Sequence, residues 1–209
     1  AYLRLFAVTA LTFNFTESAE SSMSHYRRWF IPGGTYFFTV VTCKRRPILT
    51  TEEGRTFLSA AIAKVREQRP FSLVANVLLP DHWHLVMTLP NRDVDYSTRL
   101  KRIKEEFTTS WRGAGLPEAT VTAAQQKRGE RGIWQPRFWE HSVEDEDDLE
   151  RCVDYVHWNP RKHGLVTRVR DWRWSSFHRF VEEGHYDINW GGTEPESLAA
   201  IKNDCGEPS

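Results

Sequence analysis

Two histidines stand two positions apart in a short, largely apolar stretch. His82 and His84 follow a Pro-Asp turn, and residues 84–89 are mostly apolar or β-branched, which is typical of a β-strand. Side chains alternate along a strand, so both imidazoles point to one face and Trp83 points to the other. Two imidazoles at this spacing can hold one divalent metal ion. A solvated histidine pair at an edge turn is the alternative, and the spacing alone leaves both open.

A helix further along the chain carries a phenol and an amide beside its apolar stripe. Residues 145–159 predict this helix, which opens with an acidic cluster that suits a helix N-terminus. At about 100° per residue, Tyr155 and Asn159 lie one turn apart on the border of the stripe, facing the sheet. Tyr155 is a candidate nucleophile and Asn159 a candidate metal ligand. The alternatives are a packed tyrosine and an asparagine that ends the helix before Pro160. The stripe itself comprises Leu149, Cys152, Val153 and Val156.

Periodicity along the chain predicts four strands and three helices in the order β-α-β-β-α-β-α. The strand over 71–79 and the histidine strand are joined by so short a turn that they must be antiparallel. This order is a split β-α-β arrangement, so we predict an α+β fold, an antiparallel sheet with packed helices. Residues 113–132 predict a polar loop. The other strands cover 35–43 and 133–143, one helix runs from a Thr51 N-cap to before Pro70, and another covers 96–111.

The chain has no net formal charge, but its charges are unevenly distributed. Residues 23–142 contain 19 Lys and Arg against 11 Asp and Glu, a net of +8, whereas residues 182–209 contain 1 against 7, a net of −6. A basic body attracts phosphate, so a polyanion partner is one interpretation. A mixed, solvated surface is the other.

Length and composition suit a single domain with appendages. We divide the 209 residues into a non-native or flexible extension over 1–22, a body over 23–181 and an acidic tail over 182–209. The three cysteines have no CxxC spacing and indicate neither a disulfide framework nor a zinc knuckle, which favours a reducing, cytoplasmic setting. No apolar run approaches the roughly 20 residues that span a bilayer, so no membrane partner is expected.

Basic and aromatic residues cluster at three places where contacts with DNA are expected. Guanidinium and ammonium groups bind phosphates, and an indole ring stacks on a base. A packed N-terminal arm and a solvated helix face are the alternatives. On the second helix Arg99 belongs to the same charged side. The candidates are Arg27, Arg28 and Trp29 before the first strand, Lys101, Arg102 and Lys104 on the second helix, and Arg161, Lys162 and His163 after Pro160.

Several of these segments match known motifs. His82-Trp83-His84 is a His-hydrophobic-His motif, and residues 155–160 (YVHWNP) are similar to the tyrosine helix of the single-tyrosine HUH transposases. Together with further motifs, they make the chain resemble the REP-associated tyrosine transposases from about Met23 to Gly192. Residues 1–22 lie outside the resemblance, and the loop over 117–130 is longer than expected for the family. The further motifs cover residues 26–30 (YRRWF), 79–84 (LPDHWH), 133–141 (IWQPRFWEH) and 159–166 (NPRKHGLV).

This resemblance implies a ferredoxin-like HUH domain that cuts and rejoins single-stranded DNA at hairpins of repetitive extragenic palindromes. It implies that His82, His84 and Asn159 ligate Mg²⁺ or Mn²⁺ and that Tyr155 is the nucleophile, which forms a 5′-phosphotyrosine link. Arg137 and Trp139, from the third further motif, join the expected DNA contacts. The REP-associated group resembles monomers that act in cis, so we expect a monomer.

Three other functions compete with this interpretation. A protein of the same fold that binds DNA hairpins without cutting them is the first. A replication initiator with a fused helicase is disfavoured, because the chain has no Walker A motif. A histidine-triad nucleotide hydrolase is disfavoured because Val86 stands where a third histidine is needed.

Overall fold

The computed structural model describes residues 31–200, with side chains described as far as residue 198. Within this range the chain forms four strands and five α-helices. The extension over 1–22 and the arm that carries Arg27, Arg28 and Trp29 lie outside the described residues. The strands are β1 Thr35–Val41, β2 Ser72–Leu78, β3 His82–Thr88 and β4 Trp139–Ser142, and the helices are α1 Glu52–Gln68, α2 Tyr96–Gly113, α3 Ala123–Lys127, α4 Glu146–Lys162 and α5 Phe177–Glu182.

The strands form one antiparallel sheet in the order β2-β3-β1-β4. The histidine strand β3 therefore lies in the interior of the sheet, between β2 and β1. This order, with one helix between β1 and β2 and another after β3, confirms the predicted α+β, ferredoxin-like fold. The central strands read as continuous apolar runs because helices cover both of their faces, and β1 is buried at every residue.

Alternation along β3 sends its side chains into two different cores. Trp83, Leu85 and Met87 pack with α1 and α2 on one face of the sheet. Val86 packs with α4 on the other face, the side to which His82 and His84 also belong. The predicted division between Trp83 and the two histidines is therefore confirmed.

Side-chain caps define where the long helices begin. The Thr51 hydroxyl accepts a hydrogen bond of 3.0 Å from the Gly54 amide at the start of α1, which confirms the predicted N-cap. The Asp145 carboxylate does the same for α4 by accepting from the Asp148 amide at 2.8 Å. No helix in the described part of the chain is long and apolar enough to cross a bilayer.

The end of α4 differs from the prediction. We expected the helix to stop at Asn159, but it continues to Lys162 with Pro160 inside its last turn. Proline removes only one helical N–H there, and the chain turns away two residues after the end of the helix at Gly164, whose φ of +65° suits glycine. Because the helix continues, Lys162 remains on the surface that carries Tyr155.

Two further predictions were wrong in detail. The strand expected over 133–143 is a strand only over Trp139–Ser142, because Pro136 cannot donate to a sheet ladder. Upstream of β4, an isolated β-bridge pairs Trp134 with Thr42. The loop expected over 113–132 contains the short helix α3, whose capping box between Thr122 and Gln125 is a local signal that the sequence analysis overlooked.

Part of the segment expected as an acidic tail packs on the body. Leu198 is buried in the α4 core, and the Ser197 hydroxyl donates to Asp154 on α4 at 2.5 Å. Burial raises the pKa of Asp154, and the hydrogen bonds from Ser197 and Tyr186 partly offset that rise. The boundary drawn at residue 181 stays a prediction.

Candidate active site

The two histidines lie side by side in the middle of the sheet. The exposed fractions of His82 and His84 are 2% and 0%, and their ring centroids are 4.8 Å apart at an interplanar angle of 82°. Across the ladder, His82 faces Val41 and His84 faces Thr39 of β1. The solvated edge-turn alternative is therefore wrong, because β3 is an interior strand and both rings are buried.

Each imidazole is oriented through its Nδ1 atom. His82 Nδ1 lies 2.6 Å from Asp81 Oδ1, and His84 Nδ1 lies 2.9 Å from Thr39 Oγ1. A carboxylate accepts, so His82 carries its proton on Nδ1 when neutral and the lone pair on Nε2. When Nδ1 of His84 donates to the Thr39 hydroxyl, its lone pair also lies on Nε2. This is the usual way in which second partners prepare histidines for a metal ion.

Asp81 remains an anion because its partners outweigh its burial. Burial alone would raise the pKa of this carboxyl, but the hydrogen bond and charge of His82, with the Arg45 guanidinium, lower it to about 2. Arg45 Nη1 lies 3.0 Å from Asp81 Oδ2. Arg45 has a φ of +49°, a left-handed conformation that is uncommon outside glycine and that holds its side chain beside the site.

The tyrosine of α4 lies directly above this histidine pair. Tyr155 is 5% exposed, and its ring meets His84 edge-on with centroids 5.4 Å apart and Phe37 with centroids 5.7 Å apart. Lys162, two turns further along α4, donates from Nζ to the phenolic oxygen at 2.7 Å. The same ammonium lies 4.6 Å from the centroid of the tyrosine ring. A cation therefore touches the oxygen that is expected to act as nucleophile.

Asn159 lies between two contacts that α4 makes with the histidines. Tyr155, one turn before it, contacts His84, and His163, one turn after it, has its ring 5.1 Å from that of His82. Asn159 is fully buried, as expected for a residue on the surface of α4 that faces β3. Asn159 therefore lies on the part of α4 that faces the polar pocket of the two imidazoles, and its contact with them stays a prediction.

The donor set of this pocket fits a small divalent cation. Two imidazoles and one amide oxygen are neutral ligands that leave positions on Mg²⁺ or Mn²⁺ for phosphate oxygens. The Nδ1 contacts to Asp81 and Thr39 supply the orienting shell that metal-binding histidines require. The assignment of His82, His84 and Asn159 as ligands stays a prediction.

Comparison with known proteins identifies the family. Residues 32–159 match the family described as Transposase IS200 like. A REP-associated tyrosine transposase of Escherichia coli K12 is 45% identical over 170 residues, which is 81% of this chain and 92% of that protein. This chain belongs to the REP-associated tyrosine transposases, within the IS200-like family.

Two more similarities agree with that assignment. A putative REP-associated tyrosine transposase of Haemophilus influenzae Rd is 44% identical over 172 residues, 81% of this chain and 94% of that protein. A solved structure of a REP-associated tyrosine transposase bound to a REP hairpin matches with a TM-score of 0.70 and 40% identity. That match covers 90% of this chain and 99% of the solved one.

In this transposase, the candidate DNA contacts that fall within residues 31–198 lie on both faces of the sheet. Lys101 and Lys104 of α2 line a cavity together with Arg137, on the α1 and α2 side, while Arg102 is exposed nearby. Trp139 packs on the other side, edge-on to Phe37 with the ring centroids 5.6 Å apart. The remaining candidates cluster at the end of α4: Arg161 donates to the Gly191 carbonyl, Lys162 to Tyr155, and His163 contacts His82.

One polar cluster of the transposase was not found from the sequence. The ligand atoms of His141 on β4 and of Asp148 and Cys152 on α4 all lie within 4.8 Å of one another. His141 Nε2 is 2.7 Å from Asp148 Oδ2, and Asp148 also accepts from Arg151. Burial raises the pKa of Asp148, but these hydrogen bonds and charges lower it overall. We interpret the cluster as an ion pair that joins β4 to α4. No periodic signal predicts it, since its members belong to different elements.

Proposed function

We propose that this chain cuts and rejoins single-stranded DNA at hairpins of repetitive extragenic palindromes, with Tyr155 as the nucleophile. The supporting observation is that a buried phenol, bonded to Lys162, lies over a pair of oriented imidazoles. The similar structure with 40% identity, which is bound to a REP hairpin, supports the same substrate for this chain. We further propose a monomer acting in the cytoplasm.

The first step is attack by the phenolic oxygen on the scissile phosphate. A free phenol has a pKa of about 10 and is a weak nucleophile at neutral pH. The Lys162 ammonium, 2.7 Å from that oxygen, stabilises the negative charge that develops as the phenolic proton leaves to solvent. Attack forms a bond from the Tyr155 oxygen to phosphorus and breaks the bond from phosphorus to the 3′ oxygen, which takes up a proton.

The product is a 5′-phosphotyrosine link and a free 3′-hydroxyl. The new ester conserves the free energy of the broken bond, so attack by another 3′-hydroxyl rejoins strands without ATP. His82, His84 and Asn159 would hold a Mg²⁺ or Mn²⁺ ion, whose positive charge would polarise the phosphate.

A labelled hairpin tests this proposal directly. The substrate is a palindrome that flanks the chain's own gene, labelled at its 3′ end and incubated with Mn²⁺ or with EDTA. Because the tyrosine is joined to the 5′ end of the downstream fragment, the 3′ label should migrate with the protein in a denaturing gel. A 5′ label should instead appear on a free, shorter strand.

Two tyrosine variants control the assay. Tyr155→Phe should abolish the adduct while still binding the hairpin. Tyr186→Phe removes the hydroxyl that donates to Asp154 on α4, and this variant should still form the adduct. Hairpin binding by the wild-type chain without any adduct would instead support a non-cleaving hairpin-binding protein.

A further inference from the structure

A basic cavity lies between α2 and the segment that leads into β4. Its volume is 640 Å³, within the range of roughly 300–1,000 Å³ that is usual for small-ligand sites. It opens beside α2, which packs on the opposite face of the sheet from Tyr155. It is therefore separate from the candidate active site. Six cations line it, namely Lys101, Lys104, Arg112, Arg128, Arg131 and Arg137.

Among the residues that the structure describes, half of these cations have no acidic partner. Arg112 and Arg128 pair with Glu118 and Glu130, and Lys101 lies 3.8 Å from Glu105. Within residues 31–198, no ion pair involves the three others, Lys104, Arg131 and Arg137. The cavity therefore retains positive charge that an anionic ligand would neutralise.

Lys104 is the innermost of these three cations. Its Nζ donates to the carbonyl oxygens of Gln135 at 2.6 Å and Pro136 at 3.3 Å. Burial of this ammonium lowers its pKa to about 8. A partly buried cation whose partners among the described residues are carbonyl oxygens is a favourable partner for a phosphate group.

The wall of the cavity also contains hydrogen-bonding groups without partners. Trp134 is 8% exposed, and its indole Nε1 has no acceptor among the residues that the structure describes. The hydroxyl of Ser97 is likewise buried without a partner in that part of the chain. A buried polar group without a partner costs about 1–3 kcal/mol, which a ligand with matching groups would recover. Both residues line the cavity.

The rest of the lining is mixed, with apolar residues beside polar ones such as Thr108, Thr109 and Gln135. Phe138 is half-buried, and Ile133 and Pro136 complete the surface beside it. Aromatic side chains interleaved with cations are the combination that binds single-stranded nucleic acid, because bases stack while phosphates pair with the charges. The unpartnered indole N–H and hydroxyl suit the polar edge of a base.

We propose that this cavity binds an unpaired nucleotide of the DNA strand beside the hairpin, with the base against Phe138 and its phosphate near Lys104. This inference rests on the proposed single-strand DNA function. The sheet order makes β4 an edge strand, so a DNA strand can pass around it from this cavity to the other face. There Trp139 contacts Phe37, which contacts Tyr155.

Two hairpins separate this site from the rest of the DNA surface. Both have the same stem and loop, and only one carries an eight-nucleotide single-stranded flank. Their affinities are measured by fluorescence anisotropy in EDTA, with no cleavage. Lys104→Met should bind the flanked hairpin about tenfold more weakly and the unflanked hairpin as the wild type does. Arg137→Gln, at an exposed position, should show a smaller loss of the same kind.

Matched controls decide the interpretation. Lys64→Met removes an exposed charge on α1 outside the cavity and should leave both affinities unchanged. Ser97→Ala should weaken binding of the flanked hairpin only. Equal affinities of Lys104→Met, Arg137→Gln and wild type for the flanked hairpin would overturn the nucleotide site.

Measuring both flank binding and adduct formation separates the cavity proposal from the strand-transfer proposal. A wild-type chain that binds the flank through Lys104 but forms no covalent adduct would refute strand transfer and leave the cavity assignment standing. If Lys104→Met forms the adduct at saturating DNA and binds the flanked hairpin as tightly as the wild type, the cavity assignment would be refuted and strand transfer would stand.

Discussion

On one face of the sheet, Trp83 and its apolar neighbours on β3 pack against α1 and α2, and on the other, His82 and His84 lie beneath α4. Both faces are buried, and both enclose polar side chains with specific partners. On the α2 face the Tyr96 hydroxyl donates to Glu140, whereas the α4 face holds two neighbouring imidazoles, each oriented through its Nδ1 atom. The basic cavity lies at the rim of the α2 face. Alternation along one strand therefore lets a buried sheet place a large core side chain and a candidate active-site residue next to each other in sequence.

Truncating adjacent residues of β3 should affect stability and activity differently. Trp83→Ala removes a large side chain that is 1% exposed and should lower the free energy of unfolding by about 3–5 kcal/mol. His84→Ala should lower it less and abolish cleavage and Mn²⁺ binding. Urea unfolding and calorimetric Mn²⁺ titration measure the two effects. An equal loss of stability in both variants would mean that the division between the faces is wrong.

The lysine of α4 should matter to the rate of cleavage rather than to folding. Lys162→Met removes the donor to the Tyr155 oxygen and should slow adduct formation about 100-fold, equivalent to about 2.7 kcal/mol in activation free energy. Lys162→Arg should recover part of the rate. Single-turnover kinetics at saturating DNA measures this. A slower rate that more DNA restores would instead make Lys162 a DNA-binding residue.

The orienting carboxylate should affect metal affinity. Asp81→Ala leaves His82 Nδ1 without its acceptor and should weaken Mn²⁺ binding about 10–100-fold, as is typical when such a partner is lost. Asp95→Ala changes a carboxylate that caps α2 on the opposite face and should leave Mn²⁺ affinity unchanged. Calorimetry on the DNA-free protein compares them. Unchanged affinity in Asp81→Ala would argue against His82 as a ligand.

A third buried histidine on the α4 side should make the stability depend on pH in acid. Burial lowers the pKa of His157 to about 3, so the folded protein does not take up the proton that the unfolded chain accepts near pH 6.5. Stability from this group is present above that pH and falls by about 1.4 kcal/mol per pH unit below it, until the folded pKa is reached.

Replacing this histidine should flatten the acid dependence. His157→Gln cannot be protonated, so its free energy of unfolding should fall less steeply from pH 6.5 to pH 4, even though it starts lower. His178→Gln, at a partly exposed position, should keep the wild-type slope. Urea unfolding at several pH values supplies both slopes, and an unchanged slope in His157→Gln would assign the acid dependence to other groups.

The fold was predictable because its signals are local. Alternation marked the central strands, the Thr51 cap marked the start of α1, and the short turn before His82 required antiparallel pairing. Prediction failed where long-range contacts override local preference. Arg99 was expected on a solvated basic face, but it is 2% exposed and bonds Asp93 and the Pro70 carbonyl. The edge strand β4 is short because Pro136 interrupts a pattern that otherwise favours a strand.

By itself, the sequence determined which residue types share a face of an element: the histidine pair on β3 and the Tyr155 and Asn159 edge of α4. These relations follow from the fixed periods of strands and helices, which depend only on neighbours along the chain. Only the tertiary structure decided that α4 lies over β3, that Lys162 contacts the phenol, and that α2 and the segment before β4 enclose a basic cavity. These contacts depend on how separate elements pack against each other. The spacing of side chains within one element does not specify that packing.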